Sequence, residues 1–236
     1  MNLILLFEND FINKNQVSLS GRRGEHIKNI HCAKINDCLT IGLLNGQIGT
    51  GVIDSISAES VTLTIEYNQQ PPPPLPLTLI IALPRPKMLK RILQTCATMG
   101  AKKIIFLNSY RVEKSYWQTP LLTEDKINEQ LILGLEQGKD TLLPEVLIEK
   151  RFKPFVEDRL ADICKNTTAL VAHPNSESPC PRHLSTPASL IIGPEGGFIP
   201  YEIEKINAAG CQSIHLGKRI LRVETAVPVL LGKLFS

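Results

Sequence analysis

The sequence predicts an α/β protein in two parts, with a small β-rich part first and a mainly parallel sheet after it. Three observations predict this class. Short apolar or alternating runs fill residues 1–70, four consecutive prolines follow at Pro71–Pro74, and strand-like and helix-like segments alternate from residue 77 onward. The 236 residues are 43% hydrophobic and 21% charged, which is typical of a globular chain that buries a core.

The first part contains four strand-like segments, at residues 1–7, 38–44, 49–56 and 60–67. Asn45-Gly46 lies between two of them and indicates a hairpin, because both turn positions tolerate positive φ. Residues 21–30 are expected to form a loop that leads into a short helix. These features favour a small β-barrel or sandwich.

The proline run marks the predicted boundary, since proline has no backbone N–H to give to a sheet. We therefore expect a first domain at residues 1–70, a proline-rich linker at 71–76 and a second domain at 77–236.

The second part alternates strands with helices, as a parallel sheet covered on both faces requires. The strands are predicted at residues 77–83, 104–107, 146–148, 169–172, 190–192 and 213–216. The helices are predicted at residues 86–99, 123–137, 153–165, 201–209 and 223–234. The carboxyl ends of parallel strands open on one edge, where ligands bind. The sequence thus predicts a pocket near Ala172, Ile192 and Leu216.

Two glycine turns follow two of these strands, at residues 193–198 and 217–226. They are not standard nucleotide loops: Gln212 replaces the first glycine of a phosphate-binding loop, and Glu195 replaces the second glycine of a dinucleotide fingerprint. A tight strand-to-helix turn before Pro200 is the plain alternative. Three glycines, a proline and an acid in five positions favour ligand binding.

Charged residues near these turns have ordinary explanations as well. Arg219, Arg222 and Glu224 follow the last strand, where a surface Arg–Glu pair is the alternative. His173 ends another strand, and a lone histidine is more often structural than catalytic. A ligand-binding site becomes the better interpretation only because these residues follow strands that end at the same edge of the sheet.

Charge and cysteine usage restrict the function classes. The net charge is +3, but residues 71–120 carry eight basic side chains against the single acid Glu113, which indicates a basic face for phosphates or a solvated helix flank. The six cysteines have no zinc-ligand spacing, so no metal is expected. We see no signal peptide and no apolar run long enough for a membrane helix, which predicts a cytoplasmic chain.

The segments 192–198 and 216–226, in this order and spacing, resemble the RsmE family. Its members are bacterial 16S rRNA (uracil-N3)-methyltransferases of the SPOUT superfamily. The likeness extends to Ile81–Pro84, Arg111 with Trp117, and Glu136–Lys139, and so covers almost the whole chain. Lys139, where the family usually has arginine, and Val223, where threonine is common, depart from the pattern.

The resemblance implies S-adenosylmethionine-dependent methylation of N3 of one uridine in 16S rRNA, within the assembled 30S subunit. It also implies an N-terminal PUA-like β-barrel that helps to hold RNA, a C-terminal SPOUT domain with a trefoil knot, and a homodimer. A SPOUT enzyme acting on another RNA base or on tRNA, and a non-catalytic RNA-binding relative, remain alternatives.

Site residues follow from the same likeness. The expected cofactor contacts are Ala172, His173, Ile192, Gly193, Gly196, Gly197, Leu216, Gly217, Ile220, Leu221 and Arg222. Uracil N3 must lose its proton to attack, so we hypothesise that Arg222 stabilises the uridinate and that Glu195 or Glu224 orients it or accepts the proton. The expected RNA contacts are Arg22, Arg23, Lys28, Arg85, Lys87 and Arg111.

Overall fold

A computed structural model of the chain describes residues 1–235. The chain divides into two compact units. The first consists of Met1–Pro73 together with Ile132–Leu143, and the second consists of Pro74–Leu131 together with the chain from Pro144 onward. The predicted domain boundaries stay a prediction.

The first unit contains a six-stranded mixed sheet. Its strands are β1 (Ile4–Leu6), β2 (Phe11–Asn13), β3 (Gln16–Leu19), β4 (Cys38–Leu43), β5 (Ile48–Ile56) and β6 (Val61–Gln69). They lie in the order β1-β4-β5-β6-β3-β2, with β1 and β4 parallel and the other pairs antiparallel. Val61, Leu63 and Ile65 are buried and alternate along β6, as the sequence predicts.

Two features of this unit differ from the sequence-based expectation or extend it. The predicted loop and short helix at residues 21–30 is a helix over most of its length, α1 (Gly21–Asn29). Strands β2 and β3 were not predicted, because three and four residues are too few to establish a period of two.

The second unit contains a six-stranded sheet whose pairs are all parallel, which confirms the predicted mainly parallel sheet. Its strands are β7 (Leu77–Ala82), β8 (Lys103–Leu107), β9 (Glu145–Glu149), β10 (Thr168–Ala172), β11 (Ala188–Ile192) and β12 (Gln212–Ile214). They lie in the order β12-β10-β11-β7-β8-β9. The strands β7, β8 and β11 are buried almost throughout.

The helices are α2 (Pro86–Thr98), α3 (Glu124–Gly138), α4 (Phe152–Phe155), α5 (Ala161–Cys164), α6 (Pro200–Ala208) and α7 (Val223–Phe235). The predicted apolar face of α2 is confirmed, because Leu89, Ile92, Leu93 and Cys96 are buried. Gly100 follows α2 at φ +84°, as the predicted C-cap requires. A π-helical segment, Val156–Leu160, joins α4 to α5 within the single helix that the sequence predicts.

The register of the parallel strands positions the pocket. Ala172 lies opposite Ile192 on one side and opposite Ile214 on the other, so the carboxyl ends of β10, β11 and β12 meet at one edge. Within residues 1–235, no helix combines the length and the apolar character needed to cross a lipid bilayer.

Candidate functional site

A cavity of about 220 Å³ opens at the edge where β10, β11 and β12 end. Ten of the eleven expected cofactor contacts line it: Ala172, His173, Ile192, Gly193, Gly196, Gly197, Leu216, Gly217, Ile220 and Leu221. Arg222 is the exception. The lining combines apolar side chains with glycine backbone, which suits a ligand with a flat apolar part and polar edges.

The first glycine turn folds tightly over Phe198. A Cβ added at Gly193 would lie 3.0 Å from Cδ2 of Phe198 and 3.3 Å from its backbone nitrogen, so a side chain there would displace the turn. The backbone N–H of Gly197 donates to the carbonyl of Pro194 across 2.8 Å. This backbone bond fixes the turn against the cavity.

The second glycine turn depends on backbone freedom rather than on close packing. Gly217 has φ +117°, which side-chain-bearing residues rarely adopt, and an added Cβ would meet nothing within 4 Å. Its N–H donates to Nδ1 of His215 across 2.9 Å. The turn therefore holds both His215 and Gly217 at the cavity wall.

Glu195 connects the first glycine turn to helix α2. Its Oε1 accepts the backbone N–H of Arg85, the residue before the helix, across 3.1 Å and lies 4.0 Å from Nε of the same arginine. The Glu195 side chain is 26% exposed. The Glu195 carboxylate therefore has a structural function, because its bond to Arg85 orients the turn.

Arg111 braces the same turn from the segment after β8. Its Nη1 donates to the carbonyl of Gly196, and a Cβ at Gly196 would lie 3.0 Å from Cδ of Arg111. Arg111 also lines a second cavity, of about 700 Å³, which shares His173, Gly196 and Ile220 with the first. Burial lowers the pKa of His173, so its imidazole is neutral at pH 7 where the two cavities adjoin.

Arg222 and Glu224 lie at the start of α7. The carbonyl of Arg222 accepts the N–H groups of Thr225 and Ala226, and its side chain is exposed. Glu224 occupies the first turn, where the helix dipole favours a carboxylate. Across the described chain, neither side chain has a hydrogen bond or ion pair, so both are available to a ligand.

The expected RNA contacts of the first unit have partners inside that unit. Arg22 makes a two-pronged pair with Glu136, at 2.8 and 3.0 Å. Arg23 makes one with Asp10, at 2.5 and 2.7 Å, and stacks over the ring of Phe7. Lys28 donates to the carbonyl of Ala58 across 2.7 Å.

The expected RNA contacts of the second unit are more accessible. The side chain of Arg85 is 64% exposed, and Lys87 is exposed on α2.

Among the residues that the structure describes, no group of three or more His, Cys, Asp or Glu side chains could hold a metal ion.

Sequence reasoning missed Glu202, which is 3% exposed. Its Oε1 accepts the N–H of Tyr110 across 2.8 Å, and its Oε2 accepts the N–H of Ile199 across 3.0 Å. Glu202 therefore caps α6 and ties it to the segment after β8. A glutamate three positions after Ile199, with Pro200 at the helix start, was the available signal.

Comparison with known proteins places this site in a family. A family model described as an RNA methyltransferase domain matches residues 71–234. The chain is 30% identical over 230 residues to ribosomal RNA small subunit methyltransferase E 1 of Borreliella burgdorferi, covering 96% of this chain and 94% of that protein. It is 26% identical over 239 residues to ribosomal RNA small subunit methyltransferase E of Treponema pallidum, covering 94% and 86%.

The fold has a solved counterpart. A crystal structure of a ribosomal RNA small subunit methyltransferase E from Neisseria gonorrhoeae, bound to S-adenosyl methionine, superposes with a TM-score of 0.74 at 24% identity, covering 98% of this chain and 95% of that one. The family match spans more than half of the chain, and the relative from Borreliella extends it over both units. The chain therefore belongs to the ribosomal RNA small subunit methyltransferase E (RsmE) family of RNA methyltransferases.

Proposed function

We propose that the chain transfers the methyl group of S-adenosylmethionine to N3 of a specific uridine in 16S rRNA of the small ribosomal subunit. The observation that carries this proposal is the cavity between the two glycine turns, because ten residues expected from the family likeness line it. The names of the relatives supply the substrate class. The crystal structure from Neisseria supplies the cofactor.

The cavity fits the chemistry of this cofactor. Ile192, Leu216 and Leu221 offer apolar surface to an adenine ring, and the glycine turns bring backbone N–H and C=O groups close to its edges. The adjoining cavity, lined by Arg111, gives a target base access to the shared wall at Gly196. Methyl transfer is an in-line displacement, so holding both partners in place supplies much of the rate.

The reaction requires two side-chain functions besides positioning. N3 of uracil gives its proton to a base and its electron pair to the methyl carbon, while the carbon–sulfur pair returns to sulfur and leaves a neutral thioether. Arg222 stabilises the negative oxygens of the uridinate. Glu224 is the better candidate for the base, because the carboxylate of Glu195 is already bonded to Arg85.

The finer features of the fold belong to the same proposal. We infer that the mixed sheet of the first unit is a PUA-like barrel that holds RNA, and that the segment 215–235 forms the knotted end of a SPOUT domain. We also infer a homodimer that acts on the 30S subunit in the cytoplasm. The family likeness supports each of these inferences.

The deciding experiment offers the purified protein three substrates with labelled S-adenosylmethionine. These are 30S particles from cells that lack the enzyme, free 16S rRNA, and tRNA. Nucleoside mass spectrometry should find 3-methyluridine in the 30S sample. Methylation of another base or of tRNA would favour the alternative SPOUT specificity, and absence of cofactor binding by calorimetry would favour a non-catalytic RNA-binding protein.

The second glycine turn gives a prediction for cofactor affinity. We expect Gly217→Ala to weaken S-adenosylmethionine binding about 5- to 150-fold, which corresponds to a backbone strain of about 1–3 kcal/mol. Crowding is not the reason, because an added methyl group would meet no neighbour within 4 Å. The free variant relieves the strained φ of +117° by moving the turn, and that strain must be restored when the cofactor binds. Isothermal titration calorimetry measures the change.

Gly210→Ala is the matched control for this prediction. Gly210 has φ +100° and equally open surroundings, but it does not line the cavity. Its replacement should lower stability by a comparable amount and leave cofactor affinity unchanged. Equal affinity in the Gly217 variant and the parent would show that the turn does not hold the cofactor.

A further inference from the structure

A third cavity, which is an open groove of about 410 Å³, lies at the carboxyl ends of β8 and β9, outside the cavity assigned to the cofactor. The segment after β8, the start of α4 and the start of α6 form its walls. Its volume falls within the range of about 300–1,000 Å³ that is typical of ligand pockets. Because β7, β8 and β11 pair in parallel, the groove and the cofactor cavity open on the same edge of the sheet.

Four of the eleven residues that line this groove are aromatic. Tyr110 is 79% exposed and Tyr201 is 45% exposed, which is unusual for rings of this size. Trp117 is half-buried, and its Nε1 donates to Oδ1 of Asn108 across 2.9 Å, so its ring is held in place. Flat and accessible rings are the surfaces on which unpaired nucleobases stack.

The charges around the groove favour a phosphate backbone. Lys114 and Lys153 line it and are exposed, and Lys153 makes only a loose pair at 4.0 Å with Glu157. Glu202 is the acid in the lining, and both of its oxygens are bonded to backbone N–H groups. The groove therefore presents cations and rings together, as single-stranded nucleic acid requires.

The deeper wall contains an unsatisfied polar group. The hydroxyl of Ser109 is buried and has no hydrogen-bond partner in the described structure. A buried polar group is normally paired, so this hydroxyl requires a partner that the described chain does not supply, such as an ordered water.

Two contacts connect the groove to the cofactor cavity. Arg111, next to Tyr110, donates to the carbonyl of Gly196 in the first glycine turn. The N–H of Tyr110 donates to Glu202, which caps the helix that follows that turn. The groove is thereby held at a fixed position relative to the glycine turn.

We propose that this groove binds the base of an unpaired nucleotide that lies beside the target uridine in the substrate RNA. The base stacks on Tyr110, Trp117 and Tyr201, and its phosphate faces Lys114 and Lys153. This inference rests on the proposed function and deepens it. An enzyme that removes one base from its stack needs such a grip on the neighbouring strand.

The single tryptophan of the chain makes the groove observable. Trp117 fluorescence should fall when an eight-nucleotide single-stranded oligouridylate is added. An abasic oligomer of the same length keeps the phosphates but lacks the bases, and it should leave the fluorescence unchanged.

Variants of the exposed rings complete the test. We expect Tyr110→Ala and Tyr201→Ala each to weaken oligouridylate affinity about 10-fold. Tyr201→Phe keeps the ring and should bind as the parent does. Val229→Ala, at an exposed apolar residue of α7, is the surface control. Cofactor affinity measured by calorimetry should be unchanged in all four variants.

Three outcomes would overturn the inference. Parental oligouridylate affinity in both tyrosine-to-alanine variants would exclude stacking, and equal quenching by the abasic oligomer would show that only phosphates bind. A change in self-association by sedimentation without a change in RNA affinity would identify a protein–protein surface. Since quenching requires no methyl transfer, failure of the proposed function is detected separately, as absence of methylated nucleoside from the parent protein.

Discussion

Replacement of Arg222 by alanine is expected to lower the single-turnover rate of methyl transfer about 100- to 1,000-fold, the usual cost of removing one donor to a developing oxyanion. The Arg222 side chain is exposed and has no ion pair within residues 1–235, so its loss should not unfold the protein. In the proposed reaction the guanidinium also favours loss of the N3 proton. Without it, the rising limb of the pH–rate profile should move to higher pH.

Two further variants make this prediction specific. Lys218→Ala removes another exposed cation from the same turn, one that is not among the expected contacts of the cofactor or the uridine, and it should retain nearly the parental rate. Arg222→Lys keeps the charge but loses the planar fork, so an intermediate rate is expected. A parental rate in Arg222→Ala across the pH series would remove this residue from the mechanism.

Replacement of Arg23 by alanine is expected to lower the free energy of unfolding by about 3–5 kcal/mol, the cost of leaving one charge of a buried pair without its partner. The side chains of Arg23 and Asp10 are 16% and 10% exposed. Arg23 also donates to the carbonyl of Leu5 across 2.7 Å. Urea unfolding followed by circular dichroism measures the loss.

Lys34→Ala is the matched control for Arg23, because Lys34 is exposed in the same unit. It should change stability by about 0.5 kcal/mol or less. Parental stability in Arg23→Ala would mean that the pair with Asp10 contributes nothing. The prediction also affects tests of RNA binding: charge reversal at Arg22 or Arg23 breaks an internal pair, so Lys87→Glu on the surface of α2 is a cleaner probe.

Long periodic segments of this fold are predictable from sequence, because burial imposes a period that the residues must follow. The apolar face of α2 and the alternation in β6 are examples. Short elements such as β2 do not contain a full period. The pair of Arg22 with Glu136 joins residues 114 positions apart, and no local pattern encodes it.

The features of the candidate site also divide into those that the sequence predicts and those that it does not. Strand polarity brings Ala172 and Ile192 to one edge and so predicts where the cavity lies, whereas the other lining residues are expected only from the family likeness. The third groove could not be predicted in this way, because Trp117, Lys153 and Tyr201 lie in helical segments, which strand polarity does not position. The partner of Glu195 depends likewise on tertiary packing.

The first unit is built from two separated stretches of the chain, and this delays its folding during synthesis. The backbone N–H groups of Asn2 and Leu3 donate to the carbonyl of Glu136, which belongs to the second stretch of the unit. That stretch ends at residue 143, 70 positions after the first stretch ends at residue 73, which is about 4–14 s of translation at 5–20 residues per second. During this interval the amino-terminal strand and Arg22 lack these partners, so the first unit can complete its structure only after its second stretch has been synthesised.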